Sequence, residues 1–375
     1  MHAMLHLLKV TYYLRKVPID RCPGLTMMLS SYTAGRENNF NLIRFIAAFA
    51  VLVSHSYAIH FGSPELEPLH HLLDRSLGSF AVDIFFVTSG FLIYSSLDRR
   101  PSLRDYALSR FLRIYPGLFI MILITVFVLG PIVTNLSMTD YFLSTQTLVY
   151  TLKNSILIFR ANYELPGVFS ENPLGTAVNG SLWSLPFELY MYITLPIIII
   201  SGNYVSRKLK ENPEYSILLF LVLISAFRHL VEFNSLFIHK FLVLSELFFS
   251  GALIYSIRKS IPINYLYFTA SLTLALICIA INETSNVIFS LTLSYMIVWI
   301  SYKPAGVIRR FNNIEDYSYG LYIYAFPIQQ TITHFDITRN VSTHILLSFI
   351  FTLGFAMLSW KIVEKRALTF KKNLN

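Results

Sequence analysis

The chain has 375 residues, of which 54% are hydrophobic and 14% charged; soluble globular chains carry about 25% charged residues, so a soluble enzyme is excluded and lipid is the main solvent. At about 20 apolar residues per span, this length accommodates roughly ten helices in one membrane domain. The excess of 30 Lys and Arg over 21 Asp and Glu, a formal +9, reads as a topology signal rather than a nucleic-acid surface, because cytoplasmic loops collect Lys and Arg.

Residues 1–37 scatter Lys9, Arg15, Lys16, Arg21 and Arg36 among apolar runs too brief for a signal-peptide core. They are expected to form a cytoplasmic tail, with Met27 and Met28 as an alternative start. Apolar runs of spanning length then recur at 40–60, 79–97, 114–134, 183–201, 215–231, 237–257, 263–281, 286–302, 317–333 and 342–362. The expected fold is therefore an all-α polytopic membrane bundle of about ten transmembrane helices, with both termini cytoplasmic. A transmembrane domain over 38–366 precedes a cytoplasmic tail at 367–375. On that alternation most basic residues fall inside while acidic residues divide evenly, as the positive-inside rule requires. The segment 140–160 is apolar but studded with Ser, Thr, Gln and Asn, and reads as an interfacial or re-entrant element. Pro186, Pro196 and Pro327 fall within spans, where proline is tolerated. Cys22 and Cys278 suit neither a disulfide framework nor a metal site, and no metal is expected. Phosphate-cradling Gly-rich loops, dinucleotide fingerprints and Gly-x-Ser-x-Gly elbows are absent from the sequence.

Charged side chains inside spans are costly and mark candidate sites. Arg44 and His55 share one predicted helix, eleven residues apart; at 100° and 1.5 Å per residue they project from one face, about 16–17 Å apart along the axis. Asp83 and Glu188 fall four to five residues from the outer ends of their predicted spans, as His55 does from its own. Those positions put one imidazole and two carboxylates at similar depth, a candidate acid–base constellation. Arg110 and Arg113 share a helix face at the cytoplasmic mouth of the third predicted span, where the planar guanidinium fork suits phosphate, and Arg99, Arg100 and Arg104 enlarge that patch. Each residue also has a plain structural reading. His55 and Asp83 would be packing or helix–helix hydrogen-bonding groups, Glu188 an interfacial cap, and the arginines ordinary inner-side charge. Glu246 lies nearer mid-membrane with no evident partner in the sequence, and its role is left open. In the long stretch 135–182 and just beyond it, aromatic residues including Tyr163 and Trp183 are candidates for stacking on an acceptor sugar or for membrane anchoring.

Six ordered motifs carry a family resemblance: Arg44 with His55, VDIFFVTSGFLI at 82–93, Arg110-x-x-Arg113 before Tyr115-Pro116, SLWSLPFELY at 181–190, YSYGLYIYAFP at 317–327 and SWKIVEK at 359–365. From Asn39 to Arg366 the chain resembles the acyltransferase-3 family of integral membrane acyltransferases, typified by bacterial polysaccharide O-acetyltransferases. The resemblance implies an acetyl-CoA-dependent O-acetyltransferase of the bacterial inner membrane. Its acceptor would be a lipid-linked or nascent surface glycan, lipopolysaccharide O-antigen first; acetyl-CoA and membrane lipids are the implied partners, with no permanently bound cofactor and no nucleic acid. His55 takes the place of the catalytic histidine, Arg44, Arg110 and Arg113 those of donor binding, and Glu188 that of the motif glutamate. Two departures stand out: many members carry His where this chain has Ala325, and Pro where it has Arg366. With the residues alone, Asp83 and Glu188 compete as the partner of His55. Other readings are a different donor such as succinyl-CoA, an exopolysaccharide or peptidoglycan acceptor, or a polytopic glycan or anion transporter. The inverted repeats expected of a transporter are not evident in the sequence.

Overall fold

The computed structural model describes residues 27–35, 37–100, 102–158, 160–209, 215–231, 235–284 and 286–373. Cys22 and most of the expected N-terminal tail lie outside the described residues. In chain order the main helices are α1 (Phe40–Phe61), α2 (Leu77–Arg99), α3 (Leu103–Ile124), α4 (Leu185–Leu209), α5 (Tyr215–Leu230), α6 (Leu236–Ser256), α7 (Tyr265–Ala280), α8 (Val287–Tyr302), α9 (Ser318–His334) and α10 (Val341–Ser359). Ser76, Ser102, Asn264, Asn286 and Asn340 start α2, α3, α7, α8 and α10, their side chains accepting from backbone N–H groups of the first turn. Single π-helical turns, Thr125–Leu129 and Trp360–Glu364, carry α3 and α10 into further helix.

The helical class agrees with the sequence, but the expected ten spans do not. Among the described residues six helices are long and apolar enough to cross a membrane: Phe40–Phe61, Leu77–Arg99, Leu103–Val133, Gly180–Val205, Leu236–Ser256 and Val341–Phe370. A seventh results if Val287–Tyr302 and Val307–Asn313, bent by 90° at their junction, form one broken span. The physical reason is length. Helices α5 and α7 have 16 residues and α9 has 17; at 1.5 Å per residue such helices measure about 24–26 Å, short of the roughly 30 Å hydrocarbon core. The inside–outside alternation expected from ten spans does not hold for six or seven. Helix α9 is instead an internal helix, buried nearly all round, with Gln329 and Gln330 both fully enclosed.

Small residues set the helix crossings, as is usual where lipid supplies no hydrophobic drive between helices. A Cβ added to Gly90 on α2 would stand 1.8 Å from the Phe248 carbonyl oxygen of α6, and one on Gly251 of α6 would stand 2.2 Å from the Val87 oxygen. Gly320 of α9 meets Ala356 of α10 in the same way, at 2.8 Å. The segment after α3 forms a 12-residue helix, Thr145–Ile156. Its Leu148, Leu152 and Ile156 face outward while Thr147, Tyr150 and Asn154 are buried.

Three relationships fix depth within the bundle. Ser54 of α1 abuts Gly78 of α2 (2.9 Å from Oγ to an added Cβ), whereas Phe40 meets Phe91 with ring centroids 5.4 Å apart, so α1 and α2 run antiparallel. Gln329 of α9 donates to the Leu52 carbonyl and Ser56 Oγ at 2.7 and 2.6 Å. Asn41 of α1 reaches the Ile314 carbonyl just before α9, so α9 runs parallel to α1. His55 and Arg44 therefore mark two opposite ends of a common interior.

Candidate active site

At one end, Asp316 sits in the coil between the turn Phe311–Asn313 and α9, and its Oδ2 faces two arginines from different helices. Arg113 of α3 donates to that oxygen at 2.5 Å and Arg44 Nη1 of α1 lies 3.6 Å from it. The other carboxylate oxygen, Oδ1, accepts from the Ser318 backbone N–H at 3.1 Å and from Ser318 Oγ at 2.5 Å. Burial would raise the Asp316 carboxyl, but the Arg113 and Arg44 guanidinium groups and the Ser318 hydrogen bonds hold it well below the usual carboxylate range. Arg113 also lies over the Trp360 and Tyr319 rings at 5.6 and 6.0 Å. Arg110, three residues away, turns to a different partner and lies 5.7 Å from the Tyr192 ring. The Nε atoms of both Arg44 and Arg110 are buried without a hydrogen-bond partner.

Glu188 belongs to this same end. Its Oε1 accepts from Ser89 of α2 at 3.2 Å and from the Tyr192 hydroxyl. Ser89 is two residues from Phe91, which packs on Phe40, so Glu188 lies at the level of Arg44. A partly open cavity lies here, with Arg44, Ser89 and Glu188 in its wall and Ser184, Leu185 and Tyr322 among its other lining residues. The Ser184 and Tyr322 hydroxyls are hydrogen-bonded at 2.7 Å.

His55 lies beyond that cavity. Phe326, one helical turn past Tyr322 on α9, meets the His55 ring edge to face at 5.1 Å and fills the space over Gly180, where an added Cβ would stand 2.6 Å from its ring. His55 Nδ1 is buried and has no hydrogen-bond partner. The neighbouring Ser54 hydroxyl is held by the buried Glu67, at 2.6 Å, which also accepts from the Leu77 N–H at 2.5 Å.

Asp83 is committed elsewhere. Five residues along α2 from Gly78, it lies about 7–8 Å deeper than Ser54, and its Oδ2 accepts from Arg75 at 2.8 Å. Arg75 packs over the Phe80 and Phe289 rings at 4.6 and 5.9 Å. The structure thus brings Arg44, Arg113 and Glu188 together, with Arg110 joined through Tyr192, and leaves His55 and Asp83 in separate surroundings. Lys240 covers Trp183 at 4.5 Å, while the Tyr163 carbonyl accepts from the Val178 N–H at 2.6 Å. Asp316, Tyr192, Ser89, Tyr322 and Arg75 are the site residues that sequence reasoning missed. Three of them carried a signal: Ser89 and Tyr322 lie inside the motifs at 82–93 and 317–327, and Asp316 is an acidic residue one position before the predicted span 317–333.

Comparison with known proteins identifies the family. The acyltransferase domain family matches residues 37–361. The chain is 33% identical over 344 residues to an O-acetyl transferase of Shigella phage Sf6, an alignment covering 89% of this chain and 97% of that protein. It is 24% identical over 370 residues to nodulation protein 10 of Rhizobium leguminosarum bv. viciae, covering 92% and 97%. With the putative peptidoglycan O-acetyltransferase YrhL of Bacillus subtilis (strain 168) it shares 30% identity over 168 residues, 43% of this chain and 24% of that protein. No solved structure matches the chain. With a family match over most of its length and helices long enough to span a membrane, the protein belongs to the acyltransferase domain family and is a membrane-embedded acyltransferase.

Proposed function

We propose that the protein transfers an acetyl group from acetyl-CoA to a sugar hydroxyl of a bacterial surface polysaccharide, with lipopolysaccharide O-antigen as the first acceptor to test. The observation that carries this reading is the partly open cavity lined by Arg44, Tyr322 and Ser184 among others, with His55 beyond it. Likeness to the phage O-acetyl transferase along nearly the whole chain supports the acetyl group. In this reading the arginine end faces the cytoplasm of a bacterial inner membrane. Arg44, Arg110 and Arg113 hold the phosphates of CoA, and the slim pantetheine arm extends into the cavity. The rise from Arg44 to His55, about 16–17 Å, is of the length such an arm covers.

The chemistry requires a neutral imidazole. His55 removes the proton from the acceptor hydroxyl as its oxygen attacks the thioester carbonyl. The tetrahedral intermediate collapses, the C–S bond breaks, and the CoA thiolate takes the proton back from the imidazolium, leaving an ester and a free thiol. Asp83, held by Arg75, supports the helix wall beside His55, and Glu188 orients Tyr192 at the donor end. Trp183 and Tyr163 are proposed to line the acceptor's approach.

Purified protein in lipid nanodiscs with labelled acetyl-CoA and lipid-linked glycan tests the proposal. Label appearing in the glycan as an alkali-labile ester supports it. Solute flux in proteoliposomes without CoA consumption would replace it with transport. Comparing surface glycans of a deletion strain and its parent by NMR then names the acceptor through its missing acetyl signals.

A further inference from the structure

Asp316 stands where an anionic ligand of Arg44 and Arg113 has to stand. We propose that its carboxylate is a built-in placeholder for a donor phosphate: it occupies the two arginines while the site is empty, is displaced when acetyl-CoA binds, and returns as CoA leaves. This rests on the donor assignment above.

Geometry divides the carboxylate into two functions. Oδ1 is taken by the Ser318 backbone N–H and hydroxyl at the start of α9, while Oδ2 serves both arginines. Contact with Arg113 is a close charge-assisted hydrogen bond of 2.5 Å, but Arg44 stands at 3.6 Å, beyond hydrogen-bond range. Arg44 is therefore paired in charge without being fixed in geometry, and its buried Nε has no acceptor. A planar guanidinium left in that state is prepared for a second anion with better-placed oxygens. Arg44 also lines the cavity, so an anion drawn to it arrives at the cavity's mouth. With only Glu364 near Arg113 and Glu188 in the cavity wall beside Arg44 as further counter-charges, two arginines lacking a direct partner would be costly in this mostly buried position. Asp316, with its side chain 15% exposed, offsets that cost in the empty state and is close enough to water to swing aside.

The placeholder makes a prediction opposite in sign to that of a structural clamp. If Asp316 merely braced the arginines, neutralising it would loosen them and weaken anion binding. If it competes with the ligand, neutralising it strengthens binding. Asp316→Asn separates the two functions, because the amide oxygen still accepts from Ser318 while the charge facing the arginines is lost. The probe is adenosine 3′,5′-bisphosphate, which carries the 3′-phosphate of CoA and the first of its two 5′-phosphates without the thioester arm.

Isothermal titration of wild type and Asp316→Asn in nanodiscs is expected to show about tenfold tighter binding in the variant, the scale of one charge-assisted hydrogen bond. In turnover, KM for acetyl-CoA falls, kcat falls as CoA release slows, and inhibition by CoA strengthens. Asp316→Ser, whose hydroxyl can also accept from Ser318, shifts binding in the same direction and serves if the Asn variant does not fold. Unchanged or weaker binding in both variants overturns the proposal. Failure of the function reading looks different: wild type that binds the bisphosphate but transfers no acetyl group removes that reading alone.

Discussion

Ser89 on α2 donates a 3.2 Å hydrogen bond to Glu188 on α4, and this contact assigns Glu188 to the arginine end of the interior rather than to the level of His55. The carboxylate also accepts from Tyr192, whose ring lies under Arg110. Glu188→Gln preserves shape and removes the charge that orders this chain of contacts. Its expected effect is on the donor: KM for acetyl-CoA rises roughly 5- to 20-fold, the worth of one lost charged hydrogen bond, while KM for the acceptor holds. Steady-state kinetics with each substrate varied in turn checks this, and a change confined to acceptor KM would place Glu188 elsewhere.

The cavity offers a steric test. Ser184 is buried and lines it beside Tyr322. Ser184→Leu intrudes into the space the thioester arm needs without touching the arginines. Acetyl transfer should fall by more than about tenfold, because the reacting carbonyl no longer reaches its near-attack position, with adenosine 3′,5′-bisphosphate binding unchanged. Equal loss of both would show that the substitution damages the donor anchor rather than the path.

Arg75 and Asp83 form an ion pair whose side chains are 19% and 4% exposed. Removing one partner strands a buried charge, at a cost of about 3–5 kcal/mol. Arg75→Ala is therefore expected to lower the unfolding temperature sharply. Arg75→Met combined with Asp83→Leu should recover most of the loss, because the charge and its partner leave together. Thermal unfolding in detergent, followed by tryptophan fluorescence, makes the comparison; equal destabilisation by the single and double variants would argue against the pair.

The α2–α6 crossing gives a fourth prediction. A methyl group at Gly90 or Gly251 collides with backbone rather than with a movable side chain, at 1.8 and 2.2 Å. Gly90→Ala and Gly251→Ala should each destabilise by at least the roughly 1–3 kcal/mol typical of overpacking. Gly354→Ala on α10, where an added Cβ meets nothing within 4 Å, is the control expected to be neutral in the same unfolding assay.

The sequence made some of this legible for physical reasons. Arg44 and His55 share one unbroken helix, so helical rise alone fixed their separation and common direction. Depth across different helices is not legible in the sequence, because the ends of apolar runs do not mark a common level. The run containing Glu188 does not begin at the membrane surface. Asn179 donates to the Ile323 carbonyl at 2.9 Å and Gly180 abuts Phe326, so the chain is already deep inside the bundle when α4 starts. Span counting failed for a related reason. The apolar runs 215–231, 263–281 and 317–333 read as crossings, whereas α5, α7 and α9 are helices of only 16 or 17 residues and α9 is sheltered by its neighbours. Asp316 escaped notice because it sits one residue before the aromatic motif that drew attention to α9, and only the fold brings Arg44 and Arg113 against it.

The central claim is that His55 performs the proton transfer while the arginine end holds the donor. The most direct measurement is single-turnover acetyl transfer by His55→Ala in nanodiscs, alongside bisphosphate binding and thermal unfolding of the same sample. Transfer should fall by about 10²–10⁴, the usual worth of a general base, with binding and unfolding temperature as in wild type. Transfer at the wild-type rate by folded His55→Ala would contradict the account.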